Sequence, residues 1–294
     1  MSVLRVPGRT IEIEPGRPLL MGIVNASPES FSDGGRTRDL EALVQFAREQ
    51  IDAGATLIDV GGESGVTDMP PISPEEETRR VLPLVERLAA DGVTVSVDTW
   101  KPQVARAALD AGAAMINDVS GLLEPELADV CAAAGAALVL MHTRARPKEK
   151  TFPHYDDPVA DVLAFLRERI TLAGERGVAP EQIVVDPGPD FAKTPAQTVE
   201  VLRNLSALRE LGRPILLAVS RKDFVGALTG RAPRERLPGT LAAIGEGVDA
   251  GAAILRVHDV AEVRDFLTVR AALRGEANVP EELHLEESLR RQRA

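Results

Sequence analysis

Polar side chains recur along the chain directly after short apolar runs. The side chains that follow the eight runs are Asn25, Asp59, Glu63, Asp98, Asn117, Asp118, His142, Asp186, Ser220, Arg221, Lys222, Arg256 and His258. Burying an unpaired charge is costly, on the order of several kcal/mol. A polar side chain after every one of the eight apolar runs is difficult to explain by packing alone. It predicts that these side chains converge on one functional site.

Single members of this set also have structural interpretations. Asp98 lies shortly before a helix predicted to begin at Pro102, so its carboxylate could cap that helix. His142 taken alone is better explained as a buried structural histidine than as a catalytic group. The functional prediction therefore depends on the set as a whole.

Cationic side chains are concentrated after the last two apolar runs, at Arg221, Lys222, Arg256 and His258. In barrel enzymes the loops after strands seven and eight often bind phosphate, and a helix capped by Asp259 could assist. The carboxylates and amides of the earlier runs suit hydrogen bonding to a polar planar ring. The expected ligand therefore has a polar ring at one end and a phosphate or diphosphate at the other.

The apolar runs themselves are typical of strands buried on both faces of a parallel sheet. They are short, rarely alternate with polar residues, and are flanked by Gly or Pro. They occupy residues 19–24, 56–60, 93–97, 114–116, 137–141, 183–185, 215–219 and 252–255. The carboxyl ends of such strands are where a barrel enzyme carries its chemistry.

Helical patterns fill the intervals between the runs. Ser73, Pro74 and Glu76 form a capping box that opens a helix through residue 88. Further helices are predicted at 40–53, 102–111, 161–174, 195–211 and 260–273, with one or two helices in 222–250. Strands alternating with helices favour a single (β/α)8 barrel domain over residues 1–294. Residues 1–17 are predicted to form a β-hairpin under the barrel, and residues 277–294 a C-terminal tail.

Composition excludes several classes of protein. The 294 residues carry a net charge of −11, which argues against broad nucleic-acid or membrane-surface binding. Cys131 is the only cysteine, so no intrachain disulfide can form, and a buried inert thiol is expected there. No Walker loop, dinucleotide fingerprint, zinc-ligand spacing, signal peptide or 18-residue apolar span is present. A cytoplasmic location is therefore expected.

Seven motifs, in order, resemble those of dihydropteroate synthases over nearly the whole chain. They are MGIVNASPESFSDGG at 21–35, IDVGGES at 58–64, SVDT at 96–99, IND at 116–118, DPG at 186–188, SRK at 220–222 and RVH at 256–258. The resemblance implies condensation of 6-hydroxymethyl-7,8-dihydropterin diphosphate with p-aminobenzoate, with release of diphosphate and use of Mg²⁺. It also implies a homodimer.

The resemblance assigns roles to individual residues of this chain. Asp98, Asn117, Asp186 and Lys222 would bind the pterin ring, and carboxylates facing ring N–H groups make strong charge-assisted hydrogen bonds. Asn25, Arg256 and His258 would bind the diphosphate, with Asn25 also holding Mg²⁺. Lys222 and Arg256 would be the catalytic residues. Phe31, Ser220 and Arg221 would border the p-aminobenzoate pocket.

The second loop departs from the family pattern. It reads Ser64-Gly65-Val66-Thr67 where the family usually has Ser-Thr-Arg-Pro-Gly, so a hydroxyl and an arginine lack counterparts at Gly65 and Val66. The sixth-strand loop departs as well, at Pro189-Asp190. The departures leave two alternatives to an active synthase. One is a non-catalytic pterin-binding paralogue, and the other is a methyltetrahydrofolate-dependent methyltransferase domain.

Overall fold

A barrel of eight parallel strands forms the centre of the computed structural model, which describes residues 2–26, 40–63 and 70–290. The barrel strands are β3 (Leu19–Asn25), β4 (Leu57–Gly61), β5 (Val95–Asp98), β6 (Met115–Asp118), β7 (Ala137–Met141), β8 (Ile183–Asp186), β9 (Ile215–Leu217) and β10 (Ala252–Val257). They pair in chain order, and β10 pairs with β3 to close the ring. The predicted (β/α)8 barrel is confirmed.

Helices follow the barrel strands and cover the outside of the ring. They are α1 (Leu40–Asp52), α2 (Pro74–Ala90), α3 (Pro102–Asp110), α4 (Glu126–Ala134), α5 (Pro158–Glu175), α6 (Pro195–Arg203), α7 (Asp223–Thr229), α8 (Leu237–Ala250) and α9 (Val260–Leu273). Ser73 caps α2 by accepting a hydrogen bond from the Glu76 backbone, as its sequence predicts. The stretch 222–250 holds two α-helices with a short 3-10 helix between them, and residues 205–211 form a 3-10 helix rather than an extension of α6.

The N-terminal residues form the predicted hairpin. Strands β1 (Ser2–Val6) and β2 (Arg9–Ile13) pair antiparallel on either side of Pro7 and Gly8. Leu4, Val6 and Ile13 are buried against the apolar side chains that line the inside of the barrel. The hairpin therefore closes the end of the barrel opposite the carboxyl ends of the strands.

Strand alternation divides the core into two layers. Leu57, Met115, Val184 and Ile254 point into the barrel, whereas their neighbours along each strand pack outward against the helices. Successive side chains in a strand point to opposite faces. The residues two positions further along, at 59, 117, 186 and 256, therefore also point inward, one layer nearer the carboxyl ends.

Two helix caps that the sequence allows are not formed. Asp98 does not cap a helix, because α3 has Lys101 at its N-cap position and Asp98 contacts Arg256 instead. Asp259 occupies the N-cap position of α9 but makes no capping hydrogen bond, and its carboxylate pairs with Arg221.

The expectation of a buried thiol at Cys131 finds support. Cys131 is buried in α4, where burial raises the pKa of its thiol. Within the three described ranges, no helix combines the length and apolar character needed to cross a bilayer.

Candidate active site

Inward-pointing side chains at the carboxyl ends of four strands form one hydrogen-bonded cluster. The Arg256 Nε donates to Asp59 Oδ2 over 2.6 Å, and its Nη2 donates to Asp98 Oδ2 over 3.0 Å. Asn117 Nδ2 donates to the same Asp59 oxygen over 3.0 Å. The cluster therefore joins β4, β5, β6 and β10 across the barrel mouth.

Asp59 is the centre of this cluster, and the resemblance gives it no role. Its carboxylate is fully buried, and one of its oxygens, Oδ1, has no hydrogen-bond partner among the described residues. The available sequence signal is its position at the end of a buried strand. Its hydrogen bond with Arg256 is a tertiary contact, which the position of Asp59 in its strand does not reveal.

Burial raises the pKa of two carboxylates in the site, Asp98 and Asp186. It raises the pKa of Asp98 to about 7, although the Arg256 guanidinium acts in the opposite direction. It also raises the pKa of Asp186, whose carboxylate accepts a hydrogen bond from the Gly188 backbone N–H over 2.7 Å. A carboxyl group with a raised pKa can donate a hydrogen bond when it is protonated and accept one when it is ionised. Either form can therefore bind a neutral heterocycle that carries both donors and acceptors.

Lys222 approaches the site from the loop after β9. Its Nζ lies 4.2 Å from the centre of the Phe191 ring, which belongs to the loop after β8. Burial lowers the pKa of Lys222, and the carboxylates of Asp190 and Asp186 oppose that effect. The aromatic ring therefore fixes the lysine against one side of the pocket.

Ser220, Arg221 and His258 lie together between β9 and β10. Ser220 Oγ is 2.9 Å from His258 Nδ1 and also accepts a hydrogen bond from the His258 backbone over 3.2 Å. Arg221 binds Asp259 through both Nε and Nη2. Phe31, which was assigned to the same pocket, lies outside the described residues, as do Gly65, Val66 and Thr67.

Asn25 ends β3 beside the loop that follows β4. The backbone N–H of Ala26 donates to the Gly61 carbonyl over 2.7 Å, which draws the two strand ends together. A Cβ on Gly61 would lie 3.1 Å from Asn25 Oδ1. The missing side chain at Gly61 leaves room for the Asn25 amide at the barrel mouth.

Asp118 and Glu63 form hydrogen bonds and ion pairs that hold the loops around the site. Asp118 accepts hydrogen bonds from the Ser120 and Leu122 backbones, over 2.8 and 2.6 Å, and so closes its own turn. Glu63 pairs with Lys101 over 2.7 Å and with Lys148 over 3.3 Å. These two strand-end carboxylates are structural in the described chain.

Lys193 is a buried cation that sequence reasoning passed over. Its side chain is 1% exposed, and its Nζ lies 2.7 Å from Nδ1 of His142, which is itself fully buried. The other ring nitrogen of His142 lies 2.8 Å from Asp161 Oδ2. His142 is therefore a structural link behind the site and not a member of the pocket wall.

Taken together, the fold and the cluster define a barrel enzyme that binds a small polar ligand at the carboxyl ends of its strands. Residues 21–258 match the family model described as pterin binding enzyme. The chain belongs to this pterin-binding family, within its dihydropteroate synthases.

Similar proteins cover almost the whole chain. The dihydropteroate synthase of Bacillus subtilis is 40% identical over 265 residues, which are 90% of this chain and 91% of that protein. The Escherichia coli K12 synthase is 40% identical over 269 residues, covering 90% and 95%.

Solved structures of this family agree with the fold. The Xanthomonas albilineans synthase with 4-aminobenzoic acid matches with a TM-score of 0.86 and 44% identity, covering 95% of this chain and 100% of that one. The Burkholderia cenocepacia synthase complexed with 7,8-dihydropteroate matches with a TM-score of 0.85 and 39% identity, covering 94% and 97%.

Proposed function

We propose that this protein is a dihydropteroate synthase, which condenses 6-hydroxymethyl-7,8-dihydropterin diphosphate with p-aminobenzoate. The observation that carries the proposal is the hydrogen-bonded cluster of Asp59, Asp98, Asn117 and Arg256 at the barrel mouth. A packed core would not place two acids, an amide and a guanidinium there. Its relatives with bound 4-aminobenzoic acid and 7,8-dihydropteroate support the same choice of substrates.

The pterin ring is proposed to bind between Asp98, Asn117, Asp186 and Lys222. Asp186 is 3% exposed and fixed by the Gly188 backbone, so it offers a preoriented acceptor to ring N–H groups. Asn117 supplies both a donor and an acceptor. Because these groups are already held by neighbours, little conformational entropy remains to be lost when the ring binds.

The diphosphate is proposed to bind at Arg256, His258 and Asn25. Two nitrogens of Arg256 are held by Asp59 and Asp98, and Nη1 has no hydrogen-bond partner within the described ranges. In the proposed reaction the bond between the pterin methylene carbon and the diphosphate oxygen breaks, and the electron pair leaves with the oxygen. A preoriented cation stabilises the charge that accumulates there.

The second substrate is proposed to enter beside Ser220, Arg221 and Phe31. Its amino nitrogen forms the new bond to the methylene carbon and then loses a proton. The Arg221 side chain is 31% exposed and is oriented by Asp259. It can therefore face the p-aminobenzoate carboxylate without rearranging.

Mg²⁺ is proposed as the metal because of the donors that the site offers. In the described part of the chain, no cluster of three or more His, Cys, Asp or Glu residues could hold a metal ion. Mg²⁺ commonly keeps several waters and binds through one or two protein ligands together with substrate phosphates. The single amide oxygen of Asn25 fits that pattern, and the bound ion would neutralise charge on the departing diphosphate.

The proposal is tested by diphosphate release from the purified protein with the pterin diphosphate and Mg²⁺, with and without p-aminobenzoate. Release that requires p-aminobenzoate and yields dihydropteroate is the expected result. The Asp186→Asn substitution should abolish diphosphate release. The Arg106→Gln substitution should leave the release unchanged, because Arg106 and Glu126 form a surface ion pair in which each side chain is 59% exposed.

Two other outcomes would replace the proposal. Tight pterin binding without condensation would indicate a non-catalytic paralogue with an altered second loop, and methyl transfer to a corrinoid would indicate the methyltransferase. We also propose a homodimer and a cytoplasmic location. Sedimentation of the purified protein and fractionation of the source cells test these two proposals.

A further inference from the structure

Lys193 has a complete set of hydrogen-bond acceptors in the interior of the protein. Besides His142 Nδ1, its Nζ contacts the Gly188 carbonyl at 3.0 Å and the Phe191 carbonyl at 3.2 Å. An ammonium carries three donors, so all three are used. Burial lowers the pKa of Lys193 to about 7, with the Asp186 and Asp161 carboxylates opposing that effect. A buried cation is costly, and this one is held at a specific place.

The backbone around Lys193 is held in an unfavourable conformation. Asp190 and Ala192 have φ values of +67° and +51°, in the left-handed region that side chains with a Cβ disfavour. Gly188, at φ +65°, packs so closely on the His142 carbonyl that a Cβ would collide with it. These conformations turn the Gly188 and Phe191 carbonyls toward Lys193. The contacts to Nζ therefore stabilise a loop that its own dihedral angles disfavour.

This loop carries or contacts the groups assigned to the pterin ring. Gly188 donates to the Asp186 carboxylate, and the Phe191 ring packs against Lys222. Asp190 accepts a hydrogen bond from the Phe224 backbone over 3.1 Å, at the start of α7. A change in the loop would thus move Asp186 directly and Lys222 through Phe191.

His142 and Asp161 fix Lys193 from the opposite side. Burial lowers the pKa of His142 to about 3, so the ring is neutral at physiological pH. Its Nε2 faces Asp161, which also binds Arg144 through two nitrogens, so Nε2 carries the proton. Nδ1 is then the acceptor for Lys193. The chain of contacts runs from Arg144 at the surface to the back of the pterin pocket.

We propose that Lys193 is a positioning residue for pterin binding. By holding the Gly188 and Phe191 carbonyls and the His142 ring together, it sets the positions of Asp186 and of the Phe191–Lys222 pair. It does not touch substrate. This inference rests on the proposed function and extends it to a residue to which the resemblance gives no role.

The test compares Lys193→Met with the parent protein in binding and in turnover. Methionine has a similar length and removes the three donors. Calorimetry should show at least tenfold weaker binding of the pterin diphosphate, and the KM for that substrate should rise correspondingly. The KM for p-aminobenzoate should change less than twofold, because Ser220 and Arg221 of its proposed pocket are held by His258 and Asp259.

Gln182→Met is the matched control. Gln182 is a buried side chain at the hairpin end of the barrel, where it donates to the Ala136 carbonyl over 2.6 Å and binds Arg5. Its loss should destabilise the protein without changing the KM for the pterin substrate. A purely structural role for Lys193 predicts that the two variants behave alike.

If Lys193→Met fails to fold, two milder variants test the positioning role of Lys193. His142→Gln and Asp161→Asn leave the ammonium its contacts with the His142, Gly188 and Phe191 backbone carbonyls, and each should weaken pterin binding by about two- to fivefold. Folded variants that all bind pterin like the parent would overturn the positioning role. A parent protein that binds no pterin would instead overturn the proposed function, so the two failures are distinguishable.

Discussion

The Asp59→Asn substitution tests whether the buried cluster at the barrel mouth depends on a charge at its centre. In the parent protein one Asp59 oxygen accepts hydrogen bonds from both Arg256 and Asn117. An asparagine has almost the same shape, and its carbonyl oxygen can accept both of those hydrogen bonds, but the side chain carries no negative charge. The amide NH2 would then be buried in the place of Oδ1, which has no hydrogen-bond partner among the described residues, and the Arg256 charge would lose its closest anionic partner.

The expected cost follows from the burial of the pair. Asp59 is fully buried and the Arg256 side chain is 19% exposed, so solvent screens their interaction little. Removing one partner of a buried ion pair costs about 3–5 kcal/mol. Arg256 keeps its contact with Asp98 at 3.0 Å. The expected loss in the free energy of unfolding therefore lies near the lower end of this range, at about 3 kcal/mol.

The assay is equilibrium unfolding in urea, followed by fluorescence and by circular dichroism. Trp100 is the only tryptophan and lies in the loop after β5, so its emission reports on the carboxyl end of the barrel. Glu126→Gln is the control, because its pair with Arg106 is 59% exposed on both sides and should contribute less than about 1 kcal/mol. A loss below about 1 kcal/mol for Asp59→Asn would refute the reasoning.

Two further predictions concern the residues behind the site. Gly188→Ala should prevent the native loop from forming, because a Cβ there meets the His142 carbonyl at a φ of +65°, and pterin affinity measured by calorimetry should fall at least tenfold. Preserved affinity would contradict this. For His142, the pKa is about 3 in the folded protein against 6.5 as its ordinary value, so below pH 6.5 the unfolded chain binds a proton that the folded chain does not. Stability is therefore lost as the pH falls, and the advantage of the parent over His142→Asn should shrink by about 1.4 kcal/mol per pH unit between 6.5 and 3. Urea unfolding at pH 7 and pH 5 measures this, and a pH-independent difference would count against it.

Strand alternation explains why the sequence predicts the inner surface of the site so well. Once residues 57, 115, 184 and 254 are buried inside the ring, the residues two positions later must point the same way. The inward direction of Asn117, Asp186 and Arg256 is therefore a local property of each strand. The presence of a barrel follows from the same runs, because each is too apolar to be exposed on either face.

The partners of these side chains are not local properties. Arg256 and Asp59 are separated by 197 positions, and no pattern in the chain connects them before the ring is closed. Lys193 illustrates the same limit, since a lysine in a polar loop is normally exposed. Only the approach of the His142 ring and two carbonyls makes its burial possible. Helix α4 also escaped sequence analysis, because its run of small residues lacks a clear apolar period.

The pairing of β10 with β3 has a consequence for how the protein is made. Synthesis proceeds from the N-terminus, so β3 leaves the ribosome long before its last neighbour exists. Until residues 252–257 have emerged, β3 has an open edge and Asp59 has no arginine beside it. A nascent chain can thus form most of the barrel wall before it contains Arg256, the cation that we propose binds the diphosphate. Affinity for pterin should appear abruptly with chain length, at the moment when the ring closes.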